Sequence, residues 1–244
     1  MLKIFRKIHN NLWRLRSLLS TLYFNFHYLP FKQAIKLPIV LYKPTLIKCG
    51  GKIKIEADDI KFGMIILGYH ICSIYPNTGF HYENNGGTII FKGACQIGKD
   101  SFISIGRNAS VIFGNNFLGN AGLKLASFYK MKFGEKVELG FGCTVFDTDF
   151  HQISYAPNSD MKNAAKPKAY GPISIGKYTW IGAKCTILKN TDVPAYCVVS
   201  TCSLLRKKYD IPEYSLLAGV PASYKKTGIW RNVNVDDEIK YEFD

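Results

Sequence analysis

The chain has 244 residues, 47% hydrophobic and 20% charged, which supports one packed core and excludes wholesale disorder. Its formal net charge is +14, and nine of the 32 Lys and Arg, but none of the 18 Asp and Glu, fall within residues 1–50. No apolar run reaches the roughly 18 residues of a conventional transmembrane span.

The first predicted element is a helix. Leu2, Phe5, Ile8, Leu12, Leu15, Leu19, Leu22, Phe26 and Leu29 recur at spacings of three or four, which places them on one face. Lys3, Arg6, Lys7, Arg14 and Arg16 fall between them, and Pro30 ends the pattern because it cannot continue the hydrogen-bond ladder. Residues 1–45 therefore read as a basic amphipathic helical arm and a linker. Its stripe either packs on its own domain or a sister subunit, or lies on an anionic membrane through residues 1–30. The cations favour the membrane, and the apolar stripe alone does not decide. A basic start and an apolar stretch from Ser17 to Phe24 resemble a leader, but no small-residue cleavage site follows, so a cleaved signal peptide is disfavoured.

Residues 46–92 read as irregular strands (Ile53-Lys54-Ile55, Met64 to Leu67, Thr88 to Phe91) that lead into a repeat over 93–226. Ile175, Ile181, Ile187, Val193, Val199 and Leu205 are spaced by six. Thr179, Cys185, Thr191, Cys197 and Ser203, all small, each follow four residues after one of the first five, and Gly176 and Gly182 follow the first two directly. Earlier runs keep the same period: Phe133-Gly134, Leu139-Gly140 and Val145, with Val137 and Cys143 small, and before them Ile97-Gly98 to Ile103, then Ile105-Gly106 to Val111 and Phe117. A period of six fits neither a helix nor a simple strand. It fits a triangular parallel β-helix in which each hexad makes one strand and one corner. The aliphatic points into the prism, the small residue fills the corner, and the glycine is expected to supply a positive φ. The break in the repeat at 147–172, from Asp147-Thr148-Asp149-Phe150-His151 to Pro172, reads as an extruded loop, of a length that usually carries function. Residues 227–244 read as a tail.

Seven cysteines (Cys49, Cys72, Cys95, Cys143, Cys185, Cys197, Cys202) form no C-x-x-C pair, and an odd number excludes a complete disulfide framework. Reduced thiols and a cytoplasmic location follow. Cys185 and Cys197 are corner fillers in this reading.

The hexads, together with Asp147 to His151, the segment from Pro172 through Trp180-Ile181-Gly182-Ala183, and Ala218-Gly219-Val220-Pro221-Ala222, closely resemble the hexapeptide-repeat acyltransferases, and among them the maltose, galactoside and surface-polysaccharide O-acetyltransferases. The resemblance implies a mainly β fold, a left-handed β-helix, and a homotrimer with sites between adjacent prisms. It implies acetyl-CoA as donor, a sugar or glycan hydroxyl as acceptor, and no metal. His151 matches the catalytic base. An imidazole has an unperturbed pKa of about 6.5 and accepts the acceptor's proton near neutral pH. Asp147 or Asp149 would orient its ring or simply close a turn. Asn120 aligns with an asparagine at the acceptor or the reacting centre, with a corner asparagine as the alternative. Trp180, Gly182, Ala183 and Thr201 match the pantetheine channel, while Arg206, Lys207, Lys225 and Lys226 fall where cations meet the adenosine phosphates. Thr201 and Asn190 depart from the usual small residues.

Four other readings compete. A basic nucleic-acid binder lacks any recognition motif. A zinc hydratase needs three histidine ligands, and only His70, His81 and His151 lie beyond the arm, without the spacing. An acyltransferase with an amino-sugar or serine acceptor, or a longer acyl chain, would share the same centre. A non-catalytic scaffold would not need the His151 and Trp180 segments.

Overall fold

In a computed structural model, residues 2–70 and 74–232 are described, with side chains from residue 14 onward. The side chains of Leu2, Lys3, Phe5, Arg6, Lys7, Ile8 and Leu12, together with Cys72 and the tail beyond residue 232, lie outside that range. Helix α1 (Leu2–Tyr28) and the single turn α2 (Phe31–Ala34) precede the strands, with Pro30 at the N-cap of α2.

The strands wind as successive triangular coils. The first has β1 (Ile39–Leu41), β2 (Pro44–Cys49) and β3 (Lys52–Ile55), and the second β4 (Ile65–Tyr69), β5 (Phe80–Asn84) and β6 (Thr88–Phe91). Next come β7 (Cys95–Gly98), β8 (Ser101–Ile105) and β9 (Ser110–Phe113), followed by β10 (Phe117–Gly119), β11 (Lys124–Ser127) and β12 (Lys130–Phe133). The coils of β13 (Glu138–Leu139), β14 (Thr144–Phe146) and β15 (Ile173–Ile175), and of β16 (Trp180–Ile181), β17 (Thr186–Leu188) and β18 (Asp192–Val193), carry the regular hexads. Finally β19 (Val198–Val199) and β20 (Leu204–Leu205) lead to β21 (Ser215–Gly219) and β22 (Ala222–Thr227), an antiparallel pair that closes the end.

Up to β20 every third strand joins the same parallel sheet, and β21 and β22 then extend the first sheet. The first sheet runs from β1 to β22, the second from β2 to β20 and the third from β3 to β18. Pairing Ile175 with Val193, Ile181 with Val199 and Ile187 with Leu205 stacks like hexad positions one coil apart, and all six are buried. In the third sheet Phe91, Phe113 and Phe133 stack inside the prism, with ring centroids 5.4 and 5.6 Å apart. The small positions fill the corners as expected: Thr179 Oγ1 donates to the Pro194 carbonyl (3.0 Å) and Cys185 Sγ to that of Ser200 (3.1 Å). All six described cysteines are free thiols.

Three details differ from the sequence reading. First, the prism starts at Ile39, because β1 to β6 pair in the same three sheets as the hexad strands. Their buried residues alternate within strands (Ile53 and Ile55, Ile65 and Leu67, Phe80 and Tyr82) while their corners vary in length, so the six-residue period is lost but the coil is not.

Second, the hexad glycines do not carry the positive φ. It falls two residues later, on Lys136, Tyr178, Lys184 and their equivalents. The glycines are needed for close approach: a Cβ on Gly176 would lie 2.3 Å from Ala195 N, and one on Gly182 would lie 2.6 Å from Thr201 N.

Third, the arm turns its polar side to the prism. Ser17, Thr21, Phe24 and Asn25 are buried, whereas Leu15, Leu19 and Phe26 of the expected packing stripe are exposed.

Candidate functional site

The loop after β14 is tied at its base. Thr148 bridges Tyr170, Asp149 N donates to the Ala169 carbonyl (2.7 Å) and Gly171 N to that of Asp147 (3.0 Å). Lys189 pairs with Asp149 and also reaches the Lys168 carbonyl (2.6 Å). Thr148 Oγ1 accepts from Phe150 N (3.0 Å) and helps hold Phe150 at φ +60. A branch-free aromatic in that region is strained, and two edge-on contacts fix it, with Phe146 at 5.3 Å and Phe128 at 5.6 Å. His151 follows immediately, exposed and with no hydrogen bond among the described residues. Its imidazole is therefore open to an incoming hydroxyl.

Among the described residues neither Asp147 nor Asp149 is hydrogen-bonded to that ring. Asp147 is fully buried, and its carboxylate accepts from Phe128 N (2.6 Å), Ser127 Oγ (2.7 Å) and Tyr129 N (3.0 Å). Burial raises its pKa above the ordinary carboxylate value, opposed by those hydrogen bonds. It anchors the corner of the preceding coil beneath the loop. Asp149 is held by Lys189. Of the two roles expected for Asp147 or Asp149, these contacts are those of the turn-closing one, because a loop extruded from a prism must satisfy its own base.

Asn120 lies on a different edge. It is buried at the corner between β10 and β11, and its Nδ2 donates to Glu138 Oε1 (2.9 Å) and to the Leu139 carbonyl (3.0 Å). Glu138 also pairs with Arg231, which returns from the C-terminal segment. The Asn120 amide is committed within the chain and makes no hydrogen bond with His151.

The expected donor residues share that edge. Trp180 on β16 is partly exposed beside Glu138 and Val198, its register partners. Gly182 N donates to Val199 O (2.8 Å), so the Gly182 amide is not a ligand donor, and its hydrogen side chain serves coil spacing. The amides of Ala183 and Thr201, at successive corners, take part in no backbone hydrogen bond among the described residues. They are the donors that a pantetheine arm could use. The four cations are split: Arg206 and Lys207 follow β20 on the same edge as the His151 loop, while Lys225 and Lys226 are exposed on β22. The structure does not gather them into one phosphate cluster.

Sequence reasoning missed a cleft of about 460 Å³ on the second sheet, lined by Phe102, Lys124, Phe128, Phe146, Phe150 and Glu83 among others. It opens between the two edges, next to the loop that carries His151. Alternate outward positions on β8, β11 and β14 supply its wall, a signal that becomes legible only once their register is known. Lys189 and Arg231 were missed too, since their partners are 40 and 93 residues away.

This is a hexapeptide-type parallel β-helix with a histidine-bearing loop and free corner amides. No family model matches the chain. It is 26% identical over 147 residues to the putative lipopolysaccharide biosynthesis O-acetyl transferase WbbJ of Escherichia coli K12, covering 50% of this chain and 74% of that protein. It is 27% identical over 119 residues to the probable acetyltransferase Rv3034c of Mycobacterium tuberculosis H37Rv, covering 48% of this chain and only 37% of that protein. Among solved structures, the polySia-specific acetyltransferase NeuO superposes with a TM-score of 0.50 at 18% identity, over 77% of this chain and 88% of that one, and shares its fold.

Proposed function

We propose that the chain is an O-acetyltransferase that moves an acetyl group from acetyl-CoA to a hydroxyl of a sugar or glycan, in surface-polysaccharide or lipid-linked glycan modification. The observation that carries this reading is an exposed, unbonded His151 beside a cleft, held by a loop whose base is fully tied. Similarity to acetyltransferases at the sequence level supports the reaction class.

In this mechanism His151 takes the acceptor hydroxyl proton as the oxygen attacks the thioester carbonyl carbon. The tetrahedral oxyanion collapses, the C–S bond breaks, and the imidazolium returns its proton to the CoA thiolate. Ala183 and Thr201 amides would hold the pantetheine arm, with Trp180 against it. His151 and Asn120 stand on edges separated by the second sheet, so we propose a homotrimer in which the His151 edge of one prism meets the Trp180 edge of the next. A cytoplasmic location fits an acetyl-CoA donor.

Mass spectrometry of a panel of sugars and lipid-linked glycans, after incubation with acetyl-CoA, tests this reading. A mass gain of one acetyl group on a hydroxyl is expected. No acetylated product across the panel, with free CoA not released, contradicts it. The Phe102, Phe128, Phe146 and Phe150 wall favours one second reading, a longer acyl chain, and a series of acyl-CoA lengths in the same assay separates the two.

A further inference from the structure

Helix α1 closes the open end of the prism through hydrogen bonds and through buried Phe24 and Leu29, with Leu15, Leu19 and Phe26 of its apolar stripe turned away. Asn25 clasps β1 in both directions: Nδ2 donates to Ile39 O (2.7 Å) and Oδ1 accepts from Ile39 N (3.1 Å). Thr21 Oγ1 accepts from Leu41 N (3.0 Å) and Ser17 Oγ from Lys43 N (2.9 Å). The Ile39 and Leu41 amides belong to β1, the first strand of its sheet, whose edge would otherwise invite another strand, and Lys43 lies just beyond it. Ser17, Thr21, Phe24 and Asn25 recur at spacings of three and four, so they occupy one helix face, and Leu15, Leu19 and Phe26 are turned the other way.

Three of the five described stripe residues are exposed, while Leu22 is half-buried and Leu29, at the C-terminal end, is buried. Leu15 is 53% exposed, Leu19 58% and Phe26 48%, with Leu18 and Tyr23 beside them. It continues through exposed Phe31 and Ile35, the Phe31 ring lying 6.1 Å from that of Phe26. A cleft of about 390 Å³ opens alongside, between α1 and β1, walled by Leu18, Val40, Tyr42 and Phe62 with Arg14 at its lining. Exposed Arg16, Lys32 and Lys36 border the stripe, and no Asp or Glu precedes Glu56 in the sequence.

We propose that this face docks on an anionic lipid bilayer, with α1 lying in the headgroup plane and Leu15, Leu19 and Phe26 in the outer acyl region. Charge selects this occupant over a second copy. Two arms placed face to face would set cations against cations with no acid in the segment to answer them, whereas anionic headgroups supply the missing counter-charge. Among the described residues no helix is long and apolar enough to cross a membrane. The docking does not depend on which reaction the prism performs.

The test is sedimentation of the full chain with vesicles of phosphatidylcholine alone or mixed equally with phosphatidylglycerol. The protein should pellet with the mixed vesicles, about tenfold less with phosphatidylcholine alone, and less as salt rises. Combining Leu15→Ser, Leu19→Ser and Phe26→Ser should lower the partition coefficient at least about tenfold, with the light-scattering mass unchanged. Replacing Arg16, Lys32 and Lys36 together by Glu, which leaves the stripe and its fold intact, should do the same. A parent protein that does not pellet, or variants that pellet as the parent does, would overturn the proposal. A fall in light-scattering mass in the serine variant would also overturn it, by assigning the stripe to a second copy.

Discussion

Gly176→Ala separates two explanations of the hexad glycines, backbone conformation and coil spacing. Gly176 has an ordinary negative φ, and an added Cβ would meet Ala195 N at 2.3 Å, Pro194 C at 2.5 Å and Ala195 Cα at 2.6 Å. All three atoms are backbone of the next coil, and the Gly176 amide is already bonded to Val193 O at 2.8 Å. Relief therefore requires parting two coils that share three sheets, and no side chain can swing aside. The expected cost is about 3 kcal/mol, the upper end of overpacking penalties. Gly63 provides the contrast: its φ is +65, but the nearest atom to an added Cβ is Val40 Cγ2 at 3.6 Å. Gly63→Ala should cost only the left-handed conformation, about 1–2 kcal/mol. Urea unfolding at unchanged slope measures both as midpoint shifts. A Gly176→Ala protein destabilised less than Gly63→Ala would refute close approach as the reason for the hexad glycine.

Asp147→Asn converts one of the two carboxylate oxygens that serve three donors into an NH2 group facing a donor, and should cost roughly 1–3 kcal/mol in the same assay. The effect depends on pH. The folded carboxyl holds its proton more tightly than the unfolded one, so the parent gains stability relative to the variant as pH falls from the raised folded pKa through the ordinary carboxylate pKa. Thermal unfolding across that window should show the two proteins diverging on acidification, and parallel curves would contradict it. Lys189→Ala frees the base of the 147–172 loop, and limited proteolysis should cut there faster while the prism resists; equal cleavage rates would argue against the Lys189 tie. Trp180→Ala should raise KM for acetyl-CoA with kcat nearly unchanged, read by thiol release, and an unaltered KM would remove Trp180 from the donor channel.

The hexads were legible because the corners from β15 to β20 have equal length, so Ile175 to Leu205 repeat without slippage. Ile39 to Phe91 build the same prism with corners of unequal length, and only the pairing of strands far apart in sequence reveals it. The arm was legible as an amphipathic helix but not in its orientation. An apolar stripe ordinarily packs inward, and here Asn25 and Thr21 satisfy the free edge of β1 while Ser17 takes the Lys43 amide just beyond it. At the site, the break in the repeat that carries exposed His151 and the corners of Ala183 and Thr201 show in the six-residue spacing. The partners of Asp147, Asp149 and Asn120 do not, since each is chosen by a residue from another coil.

Steady-state turnover of His151→Ala tests the proposed role of His151 as the base for acyl transfer. Its neighbours Phe150 and Asp149 keep their own contacts, so the substituted protein should retain its assembly and its affinity for CoA. Its kcat should fall about 10²–10⁴-fold with acetyl-CoA and a competent glycan acceptor. A correctly assembled His151→Ala protein that transfers acetyl at the parent rate would contradict it.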